Sequence, residues 1–426
     1  MRSLAIPDVV SGGRCGRRSR VLSAVLFVLL GVLALPLAVA ETLQERIDAI
    51  PAGGTLVLEP GTYAGPVTIR KGITLDGQGK ATIDGGGRGS VIYLHADGAV
   101  IRNLRLTNSG ESHNDIDAGI QVRGKFNVIK DNVIDDCLFG LDLQKSENNV
   151  VRRNRISSKP VGLGMRGDAI RLWYSFGNKI VDNVIRNSRD TVVWYSKDNL
   201  ISGNDAQYGR YALHFMYSQY NKVENNIYKH NSVGIFLMYS DSVEIRGNTI
   251  ENAVGATGIG IGFKETSDVV IANNRVLYNA AGLSLDVSPF QPGTTNRIHD
   301  NLLAFNNIAV RFLNGWHGND FKRNRFKGNL TDVVVSDGGT AKDNDWNGNY
   351  WDHYEGFDRN GDGIGDTPFE YYSYADRIWI DIPTAQFFRG SPVLEVLDFL
   401  ERLAPFSPPE MVLRDNSPIL KAEDVL

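Results

Sequence analysis

The chain has 426 residues, 42% of them hydrophobic, with 45 Lys or Arg against 49 Asp or Glu and a formal net charge of −4. That length exceeds what one compact core usually supports but suits an elongated repeat protein. The charge balance excludes the strongly basic composition that marks a nucleic-acid partner.

Residues 1–40 read as a secretory signal peptide: Arg14, Arg17, Arg18 and Arg20 precede an apolar run from Val21 to Leu35, and Ala38-Val39-Ala40 offers a cleavage site. Its removal takes away five Arg, one Asp and Cys15. The mature charge becomes −8, and Cys137 is left alone without a disulfide partner. An exported chain without disulfides fits a bacterial periplasm. Thr42 to Ile50 then predicts a short helix, with Leu43, Ile47 and Ile50 on one face, capping the open end of the first coil of a repeat.

Residues 41–345 repeat with a period of about 22. Asn132, Asn154, Asn183, Asn204, Asn226, Asn248, Asn274, Asn301 and Asn324 mark successive units, and the longer gaps carry inserted Gly and Pro. Short alternating apolar runs broken by Asn and Gly predict strands, three to a coil. Such coils stack into an all-β, right-handed parallel β-helix, each rung rising about 4.8 Å. Asn tolerates the left-handed corner conformation and can bond its equivalents up a ladder, so the Asn column is structural.

The second strands of the units read GLDLQKS, AIRLWYS, TVVWYS, ALHFMYS, GIFLMYS, GIGIGFK and GLSLDVS. One alternating set is apolar in every copy and forms the core: Leu141 and Leu143, Leu213 and Phe215, Ile235 and Leu237, Ile259 and Ile261. The other set faces outward and places His214 beside Met216, Met238 one rung above, Trp173 and Trp194 below, and Gly260 and Gly262 as the upper boundary. Thioether sulfur is a soft ligand that selects copper(I), and imidazole suits copper too. His214, Met216 and Met238 are therefore candidate copper(I) ligands, with Trp173 and Trp194 available for cation–π or partner contacts. The competing reading is an apolar strip covered by a loop or another protein.

Residues 346–390 form an aromatic and Asp-rich segment. Within it, FDRNGDGIGD places Asp358, Asn360, Asp362, the Ile364 carbonyl and Asp366 at ligand positions of a calcium loop, with Phe369 where the bidentate Glu should stand. The alternative is a Gly-rich turn whose Asp side chains bond their own backbone. Residues 391–426 read as a helix over Ser391 to Leu403 followed by an extended tail. The helix has Pro392 at its first position and an apolar stripe of Val393, Leu394, Val396, Leu397, Leu400 and Leu403. Capping of the last coil and docking on a membrane partner are both open to it.

The Asn coils, the phrases ALHFMYS and GIFLMYS, and WNGNYWDHYEGFDRNGDGIGD together resemble the NosD family, from Thr42 to about Leu420. The resemblance implies a periplasmic copper-binding protein that serves maturation of the copper centres of nitrous oxide reductase. It implies a non-catalytic component of a complex with an ABC ATPase and a membrane permease, supplying copper, sulfur or both. Expected partners are those two subunits, a copper donor protein and nitrous oxide reductase, with membrane association through them. The competing class is a polysaccharide lyase or epimerase, which needs clustered carboxylates with a basic partner. The Asp-Pro-His-Asp run of the related alginate epimerases is missing from this chain. A third reading is a carbohydrate-binding scaffold stacking sugars on Trp173 and Trp194.

Overall fold

The computed structural model describes residues 41–337, 339–373, 391–392, 396, 399–400, 403–404 and 410–421. The expected signal peptide lies outside the described residues.

Thr55 to Trp351 form a right-handed parallel β-helix. Its twelve-stranded sheet runs up one side, and a 24-stranded sheet carries the other two strands of each coil. Helix α1 (Leu43–Ala49) closes the first coil. Thr42 and Glu45 form a capping box at its start, and Leu43 and Ile47 are buried. The Gln44 side chain bonds both the amide and the carbonyl of Thr68, so the helix also occupies an otherwise open strand edge.

The apolar column inside the coils is continuous, from Leu56 near the first rung to Trp351 near the last. Parallel strands leave their peptide groups to the next rung, and the corners are sealed by side chains. Asn132, Asn154, Asn183, Asn204, Asn226, Asn248, Asn274, Asn301, Asn324 and Asn349 form one buried ladder. Each side-chain amide donates to the next Oδ1 at 2.9–3.1 Å. These Asn residues do not themselves take the left-handed corner conformation expected of them. The residue before each does: Asp131, Arg153, Asp182, Gly203, Asn225, Gly247, Asn273, Asp300, Arg323 and Gly348 all have positive φ. The division follows from geometry, because a left-handed residue turns the chain while the next side chain must point inward to reach its equivalents.

The strands that matter here belong to the twelve-stranded sheet: β1 (Phe139–Gln144), β2 (Ile170–Trp173), β3 (Asp190–Trp194), β4 (Tyr211–Met216), β5 (Val233–Met238), β6 (Ile259–Lys264), β7 (Ala281–Asp286), β8 (Ile308–Phe312) and β9 (Thr331–Val335). Their register corrects one alignment. Ile235 pairs with Ile261, Leu237 with Phe263, Phe236 with Gly262 and Met238 with Lys264. Ile259 is therefore a half-buried residue at the strand start, opposite Val233, and Lys264 rather than glycine stands above Met238. The repeated Gly-Ile pair reads the same in either register, and only the buried Phe263 side chain fixes it.

The far end also departs from expectation. The aromatic segment after Asp337 continues the solenoid, since Asp345–Asn347 and Tyr350–Trp351 pair with the coil below. Trp346 stacks on Phe321 and Trp351 on Phe326. Phe369 then stacks on Trp351 at 4.7 Å. Strands β10 (Phe369–Ser373) and β11 (Glu410–Asp415) form an antiparallel pair over this end. So Glu410–Asp415, expected to be part of an extended arm, folds back instead. Asp415 accepts bonds from the Asn349 amide and side chain and from Trp351 Nε1, terminating the Asn ladder. Of the predicted C-terminal helix, most residues lie outside the described set. Pro392, Val396, Phe399, Leu400 and Leu403 are helical, but Val396, Leu400 and Leu403 are exposed. Their side chains do not cap the last coil, whose closing contacts come from β10 and β11.

Candidate metal site on the outer face

Outward residues of β2 to β6 stack in register. Trp173 pairs with Trp194, Trp194 with Met216, Met216 with Met238, and Met238 with Lys264. Two positions earlier on the strands, Val192 pairs with His214, and His214 with Phe236. The expected strip is thus assembled, with the upper boundary changed as above.

His214 is the centre of it. Its Nε2 lies 3.3 Å from the Met238 sulfur. Tyr211 stacks on its ring at 4.8 Å, Trp194 meets it edge-on at 5.7 Å, and Phe236 lies at 6.3 Å. Gly262 leaves space for the Phe236 ring, which a Cβ there would strike. The imidazole is therefore buried although it points away from the core. Burial pushes its pKa down to about 4, helped by Arg210 and only partly offset by Asp190. The ring stays neutral at neutral pH, with a lone pair available for a ligand. Its Nδ1 is buried without a hydrogen-bond partner, as is Nε1 of Trp194.

These donors fit a soft ion. Nitrogen and sulfur bonded to one tetrahedral ion at about 2.0 and 2.3 Å stand about 3.5 Å apart, close to the gap seen here. Both atoms come from the face that already excludes water, and an aromatic wall surrounds them. Metal-bound histidines usually donate their second N–H to a fixed acceptor. His214 lacks one, which suits a ligand that releases its ion.

Several neighbours were not anticipated. Tyr211 is one. Another is a run of acid–base pairs beside the strip. Asp142 accepts from Arg123 and Arg171, Asp168 from Arg189, and Asp190 from both ends of the Arg210 guanidinium. Burial, against the pull of Arg189, raises the Asp168 carboxyl to about 6. A third is a ladder of rings at the adjoining corner. Tyr174, Tyr195, Tyr217 and Tyr239 stack at 4.9–5.2 Å, each with positive φ. The Tyr-Ser pair recurring in AIRLWYS, TVVWYS, ALHFMYS and GIFLMYS was the available signal. His230, in the turn between ALHFMYS and GIFLMYS, stacks on Tyr208 at a different corner and does not join the strip.

The calcium-like loop is compact and exposed. The Asp358 carboxylate accepts from the amides of Gly361, Asp362 and Gly363, and the Gly363 contact leads in holding its pKa below the usual range. Asp362 accepts from Ile364 N, and Asp366 from Arg359 N at 2.6 Å. The Asn360 side chain reaches Asp362. Ile364 also bridges to Ile419, tying the loop to the returning chain.

Among solved structures, the A-module of the mannuronan C-5 epimerase AlgE6 from Azotobacter vinelandii is similar over 68% of this chain and 90% of its own, at 17% identity and a TM-score of 0.57. A mannuronic acid specific family 6 lyase from human gut microbiota is similar over 70% of this chain and 81% of its own, at 15% identity and a TM-score of 0.53. At those identities the likeness concerns the fold alone. By sequence, residues 160–356 match the family described as "Periplasmic copper-binding protein (NosD)". The "Probable ABC transporter binding protein NosD" of Pseudomonas aeruginosa is 29% identical over 92% of this chain and 95% of its own. The protein of the same name from Stutzerimonas stutzeri is 26% identical over 85% of this chain and 86% of its own. The coils that match the family model include the whole His214 strip, and the two NosD relatives cover most of the chain, so by sequence the chain is similar to the NosD family.

Proposed function

We propose that this protein is a periplasmic, non-catalytic component of an ABC-type complex. In this reading the strip on β2–β5 receives copper(I) from a donor protein and passes it on for the copper centres of nitrous oxide reductase. The observation that carries the reading is the approach of His214 Nε2 to the Met238 thioether inside an aromatic niche, with Met216 in the adjoining rung. A neutral imidazole binds the ion without first losing a proton. Its low basicity and unsupported Nδ1 favour a site that lets its cargo go. Trp173 and Trp194 extend the niche as cation–π or docking surface. Exposed Val396, Phe399, Leu400 and Leu403 are suited to contact with a membrane permease and its ATPase. The Asp358, Asn360, Asp362, Ile364 and Asp366 loop holds structural calcium in the same scheme.

The enzyme reading is weaker at this face, where Asp142, Asp168 and Asp190 are each tied to Arg. The stacked Tyr174–Tyr239 column instead favours, as a second reading, a carbohydrate-binding scaffold. An anaerobic copper(I) titration against a competing chelator separates these. Met216→Leu plus Met238→Leu keeps the volume and removes both sulfurs, and should weaken binding about 100-fold, or about 2.7 kcal/mol. Unchanged affinity removes the copper assignment, and cleavage of alginate by the pure protein would restore the enzyme reading.

A further inference from the structure

A second group of metal-binding side chains lies far along the solenoid from His214. By register, the small inward residues of successive strands form a column: Ala212 on β4, Gly234 on β5, Gly260 on β6, Gly282 on β7 and Ala309 on β8. The next position, on β9, is Asp332. A carboxylate stands in the last coil where each of these coils has a hydrogen or a methyl.

One oxygen of Asp332 is explained. Asn279, Asn306 and Asn329 form a second Asn ladder, and Asn329 Nδ2 donates to Asp332 Oδ1 at 3.1 Å. The other oxygen, Oδ2, is buried without a partner, on a side chain only 2% exposed. Asp352 faces it from the segment following Trp351. Its Oδ2 accepts from Gly328 N, while its Oδ1 is buried and has no hydrogen-bond partner. His353 Nε2 lies 3.4 Å from that Oδ1. One ligand atom from each of Asp332, Asp352 and His353 fits within 4.8 Å of the others.

Burying two carboxylate oxygens side by side without donors costs several kcal/mol unless a cation or proton lies between them. The carboxyl of Asp332 is pushed up to about 7, by burial first and then by Asp352. We infer that Asp332, Asp352 and His353 form a binding site for a divalent first-row transition ion at the C-terminal end of the solenoid. Imidazole plus carboxylates suits zinc, manganese or iron(II), whereas calcium and magnesium prefer all-oxygen shells and copper(I) prefers sulfur. Ligands on one tetrahedral ion stand about 3.4 Å apart, the Asp352–His353 distance already present. The His353 side chain is mostly exposed, leaving an approach for the ion and a position for water. The ion would clamp β9 to the segment that leads into the 357–366 loop. It would also keep hard and soft metals on separate ligands.

Zinc(II) is the probe. The full-length protein, stripped with chelator, is titrated by calorimetry in excess calcium, and cobalt(II) absorption is recorded in parallel. One equivalent should bind, with a cobalt spectrum that includes imidazole. Asp332→Asn keeps the acceptor for Asn329 and His353→Ala changes an exposed side chain, so both variants should fold. Each should weaken zinc about 100-fold. Asp358→Asn and Met238→Leu should bind zinc like the wild type. Absence of zinc binding in the folded wild type, or binding retained by either Asp332→Asn or His353→Ala, would overturn the assignment; in the first case a proton bridges the two carboxylates.

Discussion

Acid should destabilise this fold through one side chain. His214 is enclosed by Tyr211, Trp194, Phe236 and Met238, and its pKa is held at about 4 against 6.5 for a free imidazole. Between those values the folded protein keeps the ring neutral while the unfolded chain takes up a proton. The unfolded state then binds more protons, so stability is complete above about pH 7 and is lost progressively as the pH falls toward about 4. The drop from 6.5 to about 4, at about 1.4 kcal/mol per tenfold, is about 3.5 kcal/mol in full, of which about 3 kcal/mol is lost by pH 4, where the folded ring is half protonated. Urea denaturation of the wild type and of His214→Phe, compared from about pH 7 to about pH 4, reads the difference directly. The wild type should lose about 3 kcal/mol more than the variant, and an NMR titration should place the His214 ring well below the exposed histidines. The same pH dependence in both proteins, or a His214 ring titrating near 6.5, would refute the enclosed, neutral imidazole.

Two further outcomes test the scaffold. Asn226→Ala leaves the Asn204 amide and the Ile201 carbonyl without their side-chain partners inside the solenoid, at about 1–3 kcal/mol each, so about 2–6 kcal/mol should be lost. A loss under about 1 kcal/mol in a denaturation midpoint would mean the ladder is not a stabilising element. Cys137 is fully buried and burial pushes its thiol up to about 12. Iodoacetamide should label it only after denaturation, and labelling of the folded protein at the denatured rate would contradict its placement.

Much of the outer strip could be read from the chain because a strand alternates. Once Leu213, Phe215, Ile235 and Leu237 were assigned to the core, His214, Met216 and Met238 had to face outward together. The same logic fails at GIGIGFK, where glycine and isoleucine alternate and a shift of two residues preserves the pattern: it puts Gly260 and Gly262 above Phe236 and Met238, where Gly262 and Lys264 stand. It was silent on enclosure. Outward-facing side chains are normally wet, and nothing in ALHFMYS says that Tyr211, from the strand's first position, folds over the imidazole. Asp332, Asp352 and His353 escaped for a different reason. Asp332 is about twenty residues from its partners, and no spacing rule links a strand residue to a side chain one coil later.

The sequence alone determined the repeat, the coil architecture, the inward and outward faces and the capping helix, because these depend on local periodicity and on side chains meeting their own equivalents one rung away. The tertiary structure decided what periodicity cannot carry. It decided which register β6 adopts, how the chain returns to seal the last coil through Asp415, and which outward groups lose water. Those outcomes rest on contacts between residues with no fixed separation along the chain, and burial, rather than residue type, keeps the His214 imidazole neutral and leaves one Asp332 oxygen without a partner.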